Sequence, residues 1–452
     1  MHPLRTTVVG LLALSLAACA ADDTTPLPTE TTGTGAGGAT GGGGSGGSTS
    51  TSDGGSDVTP PGGPLAGLPS EPGAHIAELQ ALGADEWLEL GPPAADPEYD
   101  VARGRSWGGR ALILAPEIRG AFYYGEGVHA FVKPDGRIMD DCFVYDINGH
   151  RWIAVYPGTD TSTFNQQVAD GELSIDDDAQ VVDGDGHPVP IHTLIHAWDY
   201  LTYDTASRRF VFHAGDGLGR YYLGGIDTIE EGVAALEAER ETKTRPPMSP
   251  WFYDTVAGHF DRYPISAGAP DVGGYPGFIY LEPSHRIFLG GSGGVAMFDL
   301  TTNEWSSVED QGPRPPGYDH GIAYDPTRNL VFMGTGEADP TGGLYIFDVA
   351  ASTWTKPSSN GTAPQAFRTN SASIFYDTAN DVVTVFHYGD SLVYTYQIDA
   401  DSWSSVPLPD EVRNAVGYPS HNAFYDPELN VYFLYVAGDS SDNGTMWAYR
   451  YQ

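Results

Sequence analysis

Phe298-Asp299-Leu300-Thr301-Thr302-Asn303-Glu304-Trp305 places an aromatic–acid pair seven positions ahead of a tryptophan, and the arrangement returns along the chain. Phe347-Asp348 precedes Trp354, Tyr396 precedes Trp403, Tyr145-Asp146 precedes Trp152, and Tyr253-Asp254 precedes Phe260, all at the same offset. The step from Trp305 to Trp354 is 49 residues, and from Trp354 to Trp403 it is 49 again. A fixed period of this length marks a repeat architecture.

Upstream of each pair lies a second unit: an apolar run, a turn marked by Asp or Pro, another apolar run, then glycine. Gly321-Ile322-Ala323-Tyr324-Asp325-Pro326 leads to Leu330-Val331-Phe332-Met333-Gly334, and Phe375-Tyr376-Asp377 leads to Val383-Thr384-Val385-Phe386. Phe424-Tyr425-Asp426, Leu201-Thr202-Tyr203-Asp204, the run from Phe278 to Pro283 and that from Leu112 to Pro116 begin the corresponding units. Each repeat therefore reads as four short antiparallel strands, which is the blade of a β-propeller. The fold class is all-β, with six blades. Seven is the alternative, because 108 residues separate Trp152 from Phe260. The sixth unit stops after its third strand, and Glu86-Trp87-Leu88-Glu89-Leu90-Gly91 at the other end of the propeller is the candidate to complete it. Such closure would remove two exposed sheet edges.

The order apolar run, glycine pair, Tyr or Phe, then Trp resembles the kelch repeat, and more widely the central propeller of galactose oxidase-like proteins. Gly290-Gly291, Phe298 and Trp305 match best, whereas Gly334-Thr335-Gly336, Ala214-Gly215, Tyr388-Gly389 and Ala437-Gly438 depart from the glycine pair. The resemblance implies a propeller and is nearly silent on activity, since fold and function are separable.

The amino-terminal end follows different rules. Arg5, the apolar stretch Val8 to Leu16, and Leu16-Ala17-Ala18-Cys19 resemble a bacterial lipoprotein signal, cleaved before a lipidated Cys19. The apolar run is too short for a permanent spanning helix. The segment from Cys19 to Gly73 reads as a disordered Gly/Ser/Thr-rich tether, with little to offset the entropy of ordering. The expected organisation is thus 1–18 signal peptide, 19–73 lipidated tether and 74–452 propeller. Ala20 after Cys19 favours the outer membrane, by resemblance to lipoprotein sorting; a secreted protein is the alternative.

The chain of 452 residues carries 60 acidic against 22 basic side chains, a formal charge of -38. Nucleic-acid binding depends on basic residues neutralising phosphates, so it is not expected. With only two cysteines, Cys19 and Cys142, no disulfide framework supports the fold. Cys142 is expected to be buried and inert.

Two insertions interrupt the repeat. The first, about Pro157 to Thr193, is rich in Asp but fails the EF-hand pattern counted from Asp183, since Pro188 takes the glycine position. A hairpin of Gln180-Val181-Val182 with Val189-Pro190-Ile191 is expected there. The second, about Leu218 to Pro247, holds the expected helix, capped by Asp227 or Thr228, with Ile229, Val233 and Leu236 on one face.

Aligning the inner strands on the Tyr-Asp turn brings Arg110, Asp199, His320 and His421 to one rim of the channel, with His196 close by. This polar collar is the candidate binding site. No nucleophile motif or phosphate-binding loop accompanies it. The leading expectation is a surface-tethered, monomeric binding module for a protein or carbohydrate ligand, without a cofactor. The alternative is a carbohydrate oxidase or lyase with copper or manganese at the rim. A copper-radical site of the galactose oxidase kind needs a Cys cross-linked to Tyr, for which only Cys142 is available.

Overall fold

The computed structural model describes residues 59–452, apart from 106–110, 126–131, 192–198, 214–222, 224–225, 245–248, 274–275, 318–319, 337–338, 340–341, 368–371 and 415–420, and also 438–443. Cys19 and the whole signal and lipidation region lie outside the described residues, as do Arg110 and His196.

Six four-stranded antiparallel sheets form the blades of a propeller. Blade three is representative, with strands Gly277–Leu281, Arg286–Gly291, Gly294–Asp299 and Glu304–Val308 in sequential order from the channel outward. The long gap after Trp152 holds one blade, not two: Leu201–Asp204, Arg209–Phe212, Trp251–Asp254 and His259–Arg262. Innermost strands of successive blades touch, and Leu112–Ala115 of blade one meets His421–Asp426 of blade six. Glu86–Gly91 pairs antiparallel with Thr445–Arg450, Trp87 facing Tyr449, and so supplies the last outer strand.

The seven-residue offset has a local cause. It joins residues that face each other across the outer hairpin, as Phe298 faces Trp305, Phe347 faces Trp354 and Tyr396 faces Trp403. Their ring centroids lie 5.0, 4.9 and 5.0 Å apart, the range in which aromatic pairs add to plain burial. The Asp after the aromatic caps the turn: Asp299 Oδ1 accepts from Thr301 N at 3.0 Å and Thr302 N at 3.2 Å. Asn303 then takes a left-handed conformation, φ 58°, which Asn tolerates well. The inner Tyr-Asp turns repeat the device, with Asp325 capping Thr327 and Arg328, and Asn329 at φ 57°. Glycine at position 290 has a packing reason, since a Cβ there would stand 2.3 Å from the Phe288 ring.

Three expectations change. Residues 59–73 do not belong to a free tether. Gly62 N donates to Thr255 O at 2.9 Å on blade two, Ser70 Oγ to Asp146 Oδ1 at 2.9 Å on blade one, and Leu65 and Leu68 are buried. The segment continues through the helix Ala74–Ala81 to the strand at Trp87, and so straps blades two, one and six together.

The inserted helix Glu230–Arg240 follows a 3-10 turn, Asp227–Ile229, and no side chain caps it. It packs on the first insertion rather than on a bare propeller face. Ile229, Val233 and Leu236 share a small core with Phe164, Ile175 and Val181. Val181–Val182 pairs mainly with Ser174–Ile175, and the expected second strand contributes only a bridge at Pro188 and one bond from Val189 N to Val181 O. Pro188 and Pro190 have no N–H for a longer ladder.

Candidate functional site

The two ends of the channel differ in chemistry. At the start of the inner strands stands the expected collar. Of its members, Asp199 and His320 lie among the described residues, and His421 is placed by its backbone alone, paired with Val436. Neither described side chain borders open water. His320 is 1% exposed and its Nδ1 is 3.0 Å from Gly334 O. Burial lowers its pKa to about 4, against the opposing pull of the Gly334 and Gly317 carbonyls. Asp199 Oδ2 accepts from Ile322 N at 2.9 Å, and its carbonyl accepts from Phe278 N at 2.9 Å. One residue of blade two thus holds the starts of the first strands of blades three and four, and lies close to the His320 segment. Asn422 does the same across the closure, accepting from Ala111 N at 3.3 Å and donating to Arg105 O at 3.2 Å. The collar expected to face solvent is, at Asp199 and Asn422, an inter-blade hydrogen-bond lattice, and His320 is held within its own blade.

Behind it lies a cluster that no motif announced. Arg105 and Asp141 are fully buried and hydrogen-bonded to each other, and Lys133 Nζ lies 2.7 Å from Asp141 Oδ2. Burial alone would raise the Asp141 pKa, but Arg105 and Lys133 outweigh it and hold the carboxyl below its ordinary value. The adjoining Cys142 is buried, and burial reinforced by Asp141 pushes its thiol pKa well up. A thiolate is the reactive form, so this cysteine is inert. Among the described residues, no three His, Cys, Asp or Glu side chains gather as a metal site.

The open space is at the other end. A cavity of about 290 Å³ is lined by all six inner strands and runs to their turns. Tyr203, Tyr280, Tyr324, Tyr376 and Tyr425 ring this mouth, together with Glu282. Each tyrosine stands just before the capping acid of a turn or, for Tyr280, before Leu281-Glu282. Tyr376 donates to Asp381 at 2.8 Å, Tyr324 to Asn329 at 2.8 Å, and Tyr425 to Asp377 at 2.9 Å on the neighbouring blade. Tyr203 donates to Glu117 of blade one. Burial, then the nearby Asp325 and Glu282, pushes the Tyr324 pKa up to about 12. Burial pushes the other four up as well, so all five hydroxyls are protonated at neutral pH.

Blade one carries Leu114-Ala115 where its neighbours carry an aromatic and an acid. There Arg119 replaces the tyrosine latch, its guanidinium bidentate to Asp426 of blade six at 2.9 and 2.7 Å. The sequence held the signal for this ring in its Tyr-Asp turns. It is the lining role, not the motif, that needed the assembled channel. A second cavity of about 170 Å³, lined in part by Arg137, Tyr156, Leu173 and Val189, separates blade one from the insertions.

No protein-family model matches the chain. Among curated proteins, dynein regulatory complex subunit 7 of Chlamydomonas reinhardtii is 40% identical over 65 residues. The match spans 14% of this chain and 6% of that protein, too little to show a family. Among solved structures, an auxiliary nutrient binding protein from Bacteroides thetaiotaomicron is similar with a TM-score of 0.44 and 9% identity. It covers 80% of this chain and 76% of that one. What places this chain among the β-propellers is its own six closed blades.

Proposed function

We propose that this protein is a binding module held at the cell envelope, and that its central channel receives a small ligand or the end of a larger one. The observation that carries the proposal is the cavity of about 290 Å³ that all six blades line. Its size stands at the lower edge of the range for small-molecule sites, roughly 300–1,000 Å³. The walls are strands stapled by inter-blade bonds, so the site is formed before a ligand arrives and little ordering entropy opposes binding. The Leu16-Ala17-Ala18-Cys19 sequence and the Gly/Ser/Thr-rich stretch after it support lipid attachment at Cys19 and an outer-membrane location. The kelch-like order of Gly290-Gly291, Phe298 and Trp305 remains the family resemblance behind this reading. A carbohydrate oxidase or lyase with rim copper or manganese has less support, because Asp199 and His320 are turned toward backbone partners.

A thermal-shift panel of sugars, peptides and small ions tests the proposal. Each ligand is measured on the native chain and on a Thr205→Trp/Thr378→Trp variant. Both threonines line the cavity mouth and are exposed, so the indoles narrow the channel without disturbing the core. A ligand at 100 times its Kd stabilises the folded state by about 2.7 kcal/mol. That gain should appear in the native chain and vanish in the variant. Stabilisation that survives the narrowing would place the binding site elsewhere.

A further inference from the structure

The turn-side mouth of the channel, all of whose lining is described, points to a particular ligand class. Five tyrosines and Glu282 line it. Directly behind the tyrosines stand Glu117, Asp204, Asp377 and Asp381. Cations do not balance them. Arg119 faces Asp426 and Glu428, Arg208 faces Glu117, and Arg328 faces Asp325, Asp381 and Asp399. The mouth is left with an excess of negative charge, within a chain of net charge -38.

Two features favour a soft organic cation over a small metal ion. The carboxylates cannot converge on a metal, because they already serve the turns. Asp204 Oδ1 accepts from Ala206 and Ser207, and Asp377 Oδ1 from Ala379 and Asn380. A compact, strongly hydrated ion would forfeit its water shell without gaining ligands. A bulky, weakly hydrated cation needs only aromatic surface and a negative field, and both are present. Tyr203, Tyr376 and Tyr425 donate their hydroxyl protons to carboxylates. That donation enriches the rings in electron density and strengthens their attraction for a cation. The Tyr280 hydroxyl, in a residue 7% exposed, stands beside Asp204 and Thr205 at the same mouth.

We propose that the turn-side mouth of the channel is a binding site for an organic ammonium group, held by the tyrosine ring and the charge of Glu282 and the carboxylates behind it. The inference rests on the channel being the binding site, and it names the class of occupant.

Choline and its uncharged carbon isostere, 3,3-dimethylbutan-1-ol, separate the two layers. Both are titrated into the full chain by calorimetry. Choline should bind about tenfold more tightly than the isostere, a difference that cation–π contact and the local field together supply. Added salt should weaken choline alone. Glu282 is exposed, so Glu282→Gln leaves the fold intact; it should cost choline about threefold or more in affinity and leave the isostere unchanged. Equal affinity for the two probes overturns the ammonium assignment while leaving the channel as a site. The same holds if choline fails to bind but another ligand of the panel is lost on Thr205→Trp/Thr378→Trp. Choline binding that persists in that double variant overturns the assignment by placing the cation outside the channel.

Discussion

The closure of the ring gives a prediction whose size can be worked from the structure. Arg119 bridges blade one to blade six through two bonds to Asp426, at 2.9 and 2.7 Å. The Asp426 side chain is completely buried, whereas Glu428, the other partner of Arg119, has a side chain 69% exposed. Replacing Arg119 with Met keeps length and bulk but leaves the Asp426 carboxylate with only the Glu428 amide, 3.0 Å away. Stranding a buried carboxylate in this way costs about 3–5 kcal/mol. The lost contact to Glu428 adds at most ~1 kcal/mol, because that carboxylate is solvated either way. The control is Arg328→Met between blades four and five. Its partner Asp381 is 46% exposed at the side chain and recovers water; Asp325 is as buried as Asp426 but keeps two backbone donors. That change should therefore cost less, about 1–2 kcal/mol. Urea unfolding of both variants measures the difference, and amide exchange locates it. Exchange in Glu86–Gly91 and Thr445–Arg450 should accelerate in Arg119→Met and stay unchanged in Arg328→Met. Adding Asp426→Asn to Arg119→Met should recover part of the loss, because the stranded charge is gone. An effect of Arg119→Met below about 0.5 kcal/mol, or no larger than that of Arg328→Met, would refute the claim that this pair closes the ring.

Truncation tests the strap. A chain beginning at Val58 should melt like the full chain, one beginning at Ala74 should melt lower, and one beginning at Ala94 lowest of all, with Leu65→Ala alone costing about 2–5 kcal/mol; equal melts would show that the buried Leu65 and Leu68 add nothing. His320 gives a pH dependence. Its pKa falls from 6.5 to about 4 on folding, so it stabilises the fold fully above 6.5 and loses that contribution as pH drops toward 4. The loss is about 3 kcal/mol, and the stability of His320→Leu should vary less across that interval than that of the native chain; identical slopes would mean that His320 titrates normally. Finally, Cys19→Ser should move the protein from the membrane to the soluble fraction with an unchanged melt, and membrane retention after a salt wash would argue against lipid attachment at Cys19.

Much of the fold was legible from the sequence because its determinants are local. A seven-residue offset is the span of a hairpin with its facing pair, and Asp with a following left-handed Asn or Asp is the chemistry of its turn. Both recur in most of the blades, so the number of blades and the displaced strand at Trp87 could be read without any long-range contact. The strap could not. Leu65 and Leu68 sit in a stretch with no periodicity, and they are buried because Thr255 and Asn148, far along the chain, accept its backbone amides. The collar shows the same limit. Asp199 and His320 carry the residue types of a solvent-facing site, and whether such groups meet water or a neighbouring blade depends on how closely the blades approach. Here Ile322 N of blade four takes Asp199, and Gly334 O of its own blade takes His320. The tyrosines before the turns were visible as a motif from the start. That they ring a cavity opposite the collar follows only from closing six sheets about one axis, because a strand's sequence specifies its faces but not what stands across the channel from its inner edge.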